Sequence, residues 1–507
     1  SHPSPAYLGA IGFLREQRVV EVWFSRAGHH DQTFEEIVVD LNLPTSTSGT
    51  PAPRLESFAE ELYSGAMVNY EQARRWRRSQ YHGRLKPVTQ AHGRRLKLSL
   101  SRTGIYRITG EDLQRVGVDL SLISPPEIAL HYGGGRALAA AVGASSDHQL
   151  QEIEILVTDG GDGRFDPHDS ILFYGESLAR WVGDPSTGFQ HIRHPYSDTN
   201  VYWLSLGAGQ GAARGHVQPP VSGTPSITRE THRVRLHQEV ETSTTYFAQG
   251  NIQSGLEWYW KDLRAGDSES FALWISRPVS GPTTIRLRFV ARTESSRLFS
   301  VNWNGRRVGT ATFEAEGPHL FEFATDRAPL DGSNELTLTN NSGSLSLFDW
   351  YELEFDRQLE AEDDALFFHA TDTSGIVEYR LSGFSEQPRL FEVSDGLKEI
   401  VAITHDPTSG AVVFQDSAGP ARSYVALTPE RMRNLSRIET VDWHDLKQGE
   451  VSGADYLIIS HADFLDQAER LAAWRKSDDR FGPPVSAAVV DVQDIYNSFS
   501  GGLLDPT

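Results

Sequence analysis

Ile285, Leu287 and Phe289 alternate with Arg286 and Arg288, and Tyr351, Leu353 and Phe355 alternate with Glu352 and Glu354. A two-residue period sends successive side chains to opposite faces of a strand, so each set predicts a strand with one dry and one wet face. Leu336 and Leu338 alternate with threonines in the same way. Residues 230–357 are therefore expected to form a β-sandwich or jelly roll. Upstream, Leu96, Leu98 and Leu100 open a half-buried strand, and Ile153–Val157 and Ile171–Tyr174 supply two more. A short helical turn is expected over Glu111–Val116. A Gly/Pro-rich connection, 207–225, closes this second β-rich domain, residues 96–229. After an acidic hinge, Glu360–Asp364, short strands such as Leu390–Val393, Ile400–Ile403 and Val412–Phe414 predict a third β-rich domain over 358–450.

The two ends read differently. Residues 1–95 hold apolar runs at Arg18–Phe24 and Phe34–Leu43, a polar linker at Pro44–Arg54 and a helical pattern over Leu55–Arg78. They form an N-terminal region that is a candidate pro-segment. Arg74, Arg75, Arg77 and Arg78 read as a solvated helix end whose charge complements the helix dipole. At the other end, Asp455-Tyr-Leu-Ile-Ile-Ser460 is a continuous apolar run, the mark of a strand covered on both faces. Asp463–Lys476 carries an apolar helical stripe of Phe464, Leu465, Ala468, Leu471, Ala472 and Trp474, and Val485–Val490 is a second buried strand. Strand, helix, strand is one βαβ unit, whereas a doubly wound sheet needs more than two strands. The fold class expected is multidomain and mainly β, built of sandwich or jelly-roll modules. Residues 451–507 are expected to be the truncated start of an α/β domain.

Composition narrows the chemistry. The formal charge of −21 repels phosphate backbones and disfavours nucleic-acid binding. No apolar run approaches the roughly 18 residues that span a bilayer. Ser1–Ala10 has neither the basic start nor the apolar core of a signal peptide, as expected of a cytosolic chain or of a mature secreted one. The 507 residues contain no cysteine, so disulfides, thiolate metal sites and a cysteine nucleophile are excluded within this chain.

Three ordered stretches carry a family resemblance. Gly104-Ile-Tyr-Arg-Ile-Thr109 is followed by Asp112-Leu113 and Gly117-Val-Asp119; Asp159-Gly-Gly-Asp-Gly-Arg-Phe-Asp166 is followed by Asp169–Gly175. Ala454–Ser460 with Phe464-Leu465 leads to Val490-Asp491, Asp494-Ile-Tyr496 and Phe499-Ser-Gly-Gly502. Together they resemble gingipain-like cysteine peptidases of the type IX secretion sortase group. The resemblance implies that residues 451–507 begin a caspase-like catalytic domain. It also implies a secreted, outer-membrane-associated protein that removes C-terminal targeting domains from cargo and attaches the cargo to lipopolysaccharide. The partners implied are an outer-membrane β-barrel protein, the secreted cargo proteins and the protein's own C-terminal catalytic domain. The family's catalytic histidine and cysteine map to no position here, so this chain alone is expected to be inactive. His131-Tyr-Gly-Gly-Gly135 has the wrong order and lies in the wrong domain. The competing reading is a non-enzymatic surface binding or adhesion protein of stacked β modules.

One loop has candidate metal chemistry. In an EF-type register Asp162 takes position five, Gly163 six, the Arg164 carbonyl seven, Asp166 nine and Asp169 twelve, an oxygen set suited to calcium. Thr158 and Gly160 occupy positions where acids are wanted, and a plain Gly-Asp turn between strands is the competing reading. The pair His191 and His194, near Asp198, has a spacing that zinc can use, although a surface loop is expected there. His29-His30 form the other histidine cluster. Trp258, Tyr259, Trp260, Trp274, Trp303, Trp350 and Tyr351 would stack on sugars if exposed together, but are expected as core. Gly133-Gly134-Gly135 lacks the lysine and helix of a phosphate loop.

Overall fold

The computed structural model describes residues 6–14, 17–24, 67 and 69–70, and all of 94–506 except 140–148, 185–187, 208–210, 242–257, 407, 420–421, 442–445, 449–453, 479 and 481–484. The strand expected at Phe34–Leu43, the linker, the helix over Leu55–Arg78 with its arginines, and His29-His30 lie outside these residues. The chain divides into two compact units: 1–88 with 139–147, and 89–138 with 148–507. In the first, Ala6–Leu14 and Gln17–Phe24 pair as an antiparallel hairpin with a register shift between Leu8 and Ile11.

The second unit is built from mainly antiparallel sheets packed around four main apolar clusters. Sheet I runs in the order Arg437–Thr440, Arg94–Leu100, Asn200–Leu206, Ile128–Tyr132, Gln151–Ile153. Its central strand, Asn200–Leu206, is buried at every position, as a strand covered on both faces must be. Sheet II, in the order Gly104–Thr109, Ser170–Gly175, Ile155–Thr158, packs against it through Tyr106, Ile108, Ile171 and Phe173. Helix α1, Gly110–Arg115, starts on a capping box between Thr109 and Asp112.

Residues 231–358 form the sandwich that alternation predicts. One sheet has the order Thr231–Glu239, Ser346–Gln358, Thr283–Ala291, Gly317–Thr325, with Lys261–Leu263 added to its long strand. The other has the order Ser268–Ile275, Gly332–Asn340, Arg297–Trp303, Arg306–Phe313. Phe271, Phe289, Phe299, Phe348 and Tyr351 fill the space between them. The outer face of the first sheet is laced by cross-strand ion pairs, Arg233 and Arg235 to Glu354 and Arg286 to Glu322. Glu352 departs from its expected wet position. It is buried, with its carboxylate 3.1 Å from His237 Nδ1.

The last β layer pairs two sheets, one of His216–Gln218, Lys398–Ile400, Arg389–Glu392, Ser423–Leu427 and Ala365–His369, the other of Ile227–Arg229, Ile376–Leu381, Val412–Ser417 and Ile403–His405. The expected boundary between 229 and 230 is therefore crossed. His216–Gln218 and Ile227–Arg229 pair in parallel with strands more than a hundred residues downstream, while Arg437–Thr440 returns to sheet I. Alternation reports which face of a strand is dry. It carries no information about which distant strand lies beside it.

At the C-terminus, Tyr456–Ser460 and Ala487–Asp491 pair in parallel across helix α2, Leu465–Ser477, as the βαβ reading requires. A helix α3, Val492–Phe499, follows. One expectation fails here. Leu457 and Ile459 are 54% and 56% exposed, so the first strand is covered on one face only. Its run of apolar residues reports a capacity for two-sided burial that the chain fills on the α2 side alone.

Candidate functional site

The residues after α3 leave the small parallel sheet and dock on sheet I. Asp491 caps α3 by accepting from Gln493 N–H, and Ser500 donates its hydroxyl to the Tyr496 carbonyl at the other end. Gly501 (φ +67°) and Gly502 (φ +98°) then turn the chain through conformations that favour glycine. A Cβ on Gly502 would stand 2.8 Å from Val201 Cγ1, so the turn is also pressed against the sheet. Trp203 donates its indole N–H to the Gly501 carbonyl at 2.9 Å, and Lys97 donates to the Gly502 carbonyl at 2.8 Å. Leu503 inserts among Leu178, Val201 and Trp203.

The final contact is polar and dry. His194 Nδ1 accepts from the Tyr196 amide at 3.2 Å, which places the ring proton on Nε2. Nε2 lies 3.6 Å from the Asp505 carboxylate, and both side chains are fully buried. The same carboxylate oxygen accepts from the Leu138 amide at 2.7 Å. Lys97 is poised by this burial: desolvation lowers it to about 8, against the pull of Glu439. The motif Phe499-Ser-Gly-Gly502, with Leu503 and Asp505, thus acts as a plug on sheet I.

His191 and His194 do not share a ligand. His194 faces Asp505, whereas His191, on the strand Gly188–Ile192, stacks on His237 with ring centroids 3.9 Å apart. The surface-loop expectation fails for both: the hairpin sets His191 on the sandwich, and His194 is buried against Asp505. Around His237 lie Glu352, Glu239 and Trp350. Burial and then the neighbouring His237 lower His191 to about 4. His237 itself is raised despite burial, because Glu239 and Glu352 hydrogen-bond its ring. Burial, and next Glu239, push Glu241 up to about 7. Asp349 is pushed up to about 6, by burial first, against the attraction of Arg288.

A carboxyl raised in the folded state binds protons that the unfolded chain does not, so its stabilising effect is lost as pH rises through the folded value. Asp349→Asn, which mimics the protonated acid, is therefore expected to match the wild type near pH 4. It should exceed it by about 2 kcal/mol at pH 8. Urea unfolding of the two proteins across that range reads the difference.

The aspartate loop joins Ile155–Thr158 to Ser170–Gly175 and is closed by its own side chains. Asp159 accepts from Gly161 N–H, Asp162 from Arg164 N–H, and Asp169 from Asp166 N–H at 2.6 Å. Gly160, Gly161 and Gly163 all have positive φ. Phe165 anchors the loop in the core, and the Asp169 and Pro167 carbonyls accept from the first amides of α1. Among the described residues no three His, Asp or Glu side chains gather as a metal-binding group. Of the sandwich aromatics, Tyr259, Trp303 and Tyr351 are buried, and Trp260 stacks on Tyr351 in the core. Trp258 and Trp274 are exposed.

The plug belongs to the segment that a known family describes. Residues 450–507 match peptidase family C25. The match covers the βαβ unit, α3 and the docked turn. In solved structures the chain is similar to dimeric latent PorU from Porphyromonas gingivalis, with a TM-score of 0.63 and 17% identity. That similarity covers 82% of this chain and 39% of the PorU chain, so the present chain spans well under half of that protein's length. A smaller likeness, TM-score 0.19 and 14% identity over 25% of this chain and 97% of the other, links it to a family 35 carbohydrate-binding module of Cellvibrio japonicus Abf62. No curated protein sequence matches. The C25 match and the PorU-like fold agree with the gingipain-like resemblance read from the three ordered motifs. Among the described residues no helix is long and apolar enough to cross a membrane.

Proposed function

We propose that this chain is the non-catalytic N-terminal region of a secreted or cell-surface cysteine endopeptidase or transpeptidase, a type IX secretion sortase that processes the C-terminal targeting domains of cargo. The observation that carries this reading is the plug. The C25-like segment is fastened to sheet I by Trp203, Lys97, Leu503 and the buried His194–Asp505 pair. In that role the β modules fix the position of a caspase-like domain, while its nucleophile comes from residues outside this chain, which holds no cysteine. Partners on this reading are the protein's own catalytic domain, cargo proteins and an outer-membrane β-barrel.

The purified 507-residue protein is expected to cleave no peptide in a thiol-dependent manner. Cleavage blocked by a thiol reagent would overturn the assignment of a non-catalytic role. The peptidase reading itself is tested on the reading frame beyond Thr507. It requires a histidine in a Gly-His-Gly setting followed by a cysteine, and a frame without them leaves a surface-binding protein of stacked β modules. Calcium in the aspartate loop is a separate proposal. Asp162, Asp166, Asp169 and the Arg164 carbonyl are the ligands it would use, with Asp162 and Asp169 exchanging their loop amides for the ion. Calorimetric titration with no heat at millimolar calcium would retire it.

A further inference from the structure

Among the described residues, the hairpin of Arg180–Asp184 and Gly188–Ile192 pairs only with itself and joins no larger sheet. A two-stranded hairpin is marginal alone in water, so its place depends on side-chain contacts. Those contacts fall on one strand of the sandwich, Thr231–Glu239, and its end. His191 stacks flat on His237, with ring centroids 3.9 Å apart and planes 14° apart, and Trp181 meets both rings edge-on. Phe189 lies 3.9 Å from the Arg235 guanidinium. Just past the hairpin, Arg193 pairs with Glu239 at 3.4 Å and Glu241 at 3.0 Å. The same hairpin gives Trp181, Phe189 and His191 to one wall of a cleft of about 830 Å³, which the strand Ala365–His369 also lines.

Only one of the two stacked rings is built to carry charge. Each nitrogen of His237 faces a carboxylate, Glu352 at 3.1 Å and Glu239 at 3.2 Å, and all three residues belong to the sandwich. His237 therefore keeps its partners whether or not the hairpin is docked. The carboxylate that favours charge on His191 is Glu239, already shared by His237 and Arg193, while Arg193 itself opposes it. Glu241 and Asp349, pushed up to about 7 and about 6, have taken protons before His191 does and offer it no negative charge. Arg180 and Arg235 are balanced by Glu176 and Glu354 and change nothing in this range. His191 is held low when docked and binds its proton more readily when free. Docking therefore weakens as pH falls from the ordinary histidine value toward about 4.

We propose that the hairpin is an acid-released flap: a proton on His191 sets cation against cation in the stack, the hairpin lifts from Thr231–Glu239, and this wall of the cleft opens. The inference rests on the stacked pair and is independent of the peptidase reading.

The chain has no cysteine, so Gln190→Cys with Ser333→Cys places one pair of spin labels, at exposed positions of the hairpin and of the sandwich. Double electron–electron resonance near pH 7 is expected to give one narrow distance distribution. From about pH 6 to about pH 4 a second, broad population should grow, its ratio to the docked one rising by up to about tenfold per pH unit. The circular dichroism of the sheets should stay constant over that range. His369, elsewhere in the cleft lining, is also lowered to about 4 by burial, so a variant at His191 assigns the effect. His191→Phe keeps a flat ring that takes no proton, and its distribution should stay narrow near pH 4. His191→Gln serves the same purpose if phenylalanine does not fit. Three results would each overturn the proposal: a wild-type distribution that does not change with pH, the same broadening in the His191 variant, or broadening only as the sheets themselves unfold.

Discussion

Trp203→Ala is expected to destabilise the protein by about 3–5 kcal/mol and to release the C-terminal plug. The indole is 1% exposed, lies at the centre of sheet I, and combines three roles. It fills the cluster that receives Leu503, donates to the Gly501 carbonyl, and lies 5.8 Å from the Lys97 ammonium. Truncation removes the apolar contacts, leaves a cavity that sheet I cannot collapse into, and strands a carbonyl on a buried turn. Because several domains unfold in this chain, a single denaturation midpoint is a poor readout. Hydrogen exchange over Val492–Leu503 is better, and there protection should fall toward that of a frayed terminus. Trp274→Ala, at a 75% exposed site on the sandwich, should change stability by less than about 0.5 kcal/mol. Equal effects of the two substitutions would mean that the plug is not held by Trp203.

Asp505→Ala should cost about 2–4 kcal/mol, because it leaves two neutral donors, the His194 ring N–H and the Leu138 amide, facing a dry void. Asp505→Asn is expected to recover part of this. One oxygen faces both the Leu138 amide and the His194 Nε2–H, so an amide oxygen in its place keeps both partners and loses only the carboxylate's charge. The histidine is fixed in that tautomer by the Tyr196 amide, so Nε2 remains the donor. A double-mutant cycle with His194→Ala should return a coupling above about 1 kcal/mol. Additive losses would show that the two side chains are neighbours without interaction.

Much of the architecture is visible in the order of residues. Ile285, Leu287 and Phe289 are all fully buried, on the dry face that their alternation assigns. The βαβ unit at Tyr456–Asp491 follows from two apolar runs flanking a helical stripe. What escaped was long-range. Glu352 looks like a solvated position by local pattern, yet it is buried against His237, on which His191 of a hairpin more than 150 residues upstream stacks. The plug was half legible. Phe499-Ser-Gly-Gly502 stands out as a motif, but nothing near it in sequence names Trp203, Lys97 or His194 as its receptors. A faint signal was present in Gly133, whose Cα packs on Gly501 and which reads from sequence only as a failed phosphate loop.

The return of Arg437–Thr440 to the edge of sheet I sets a clock on biosynthesis. Ser436 donates its hydroxyl to the Ser99 carbonyl across 337 residues of sequence. At about 5–20 residues per second, the ribosome needs roughly 20–70 s between making one partner and making the other. During that interval the strand Arg94–Leu100 has an unsatisfied edge, and no co-translational, module-by-module order can complete it. Sheet I therefore stays open until Arg437–Thr440 has been made, whereas the sandwich, whose strands all lie within residues 231–358, can close well before it.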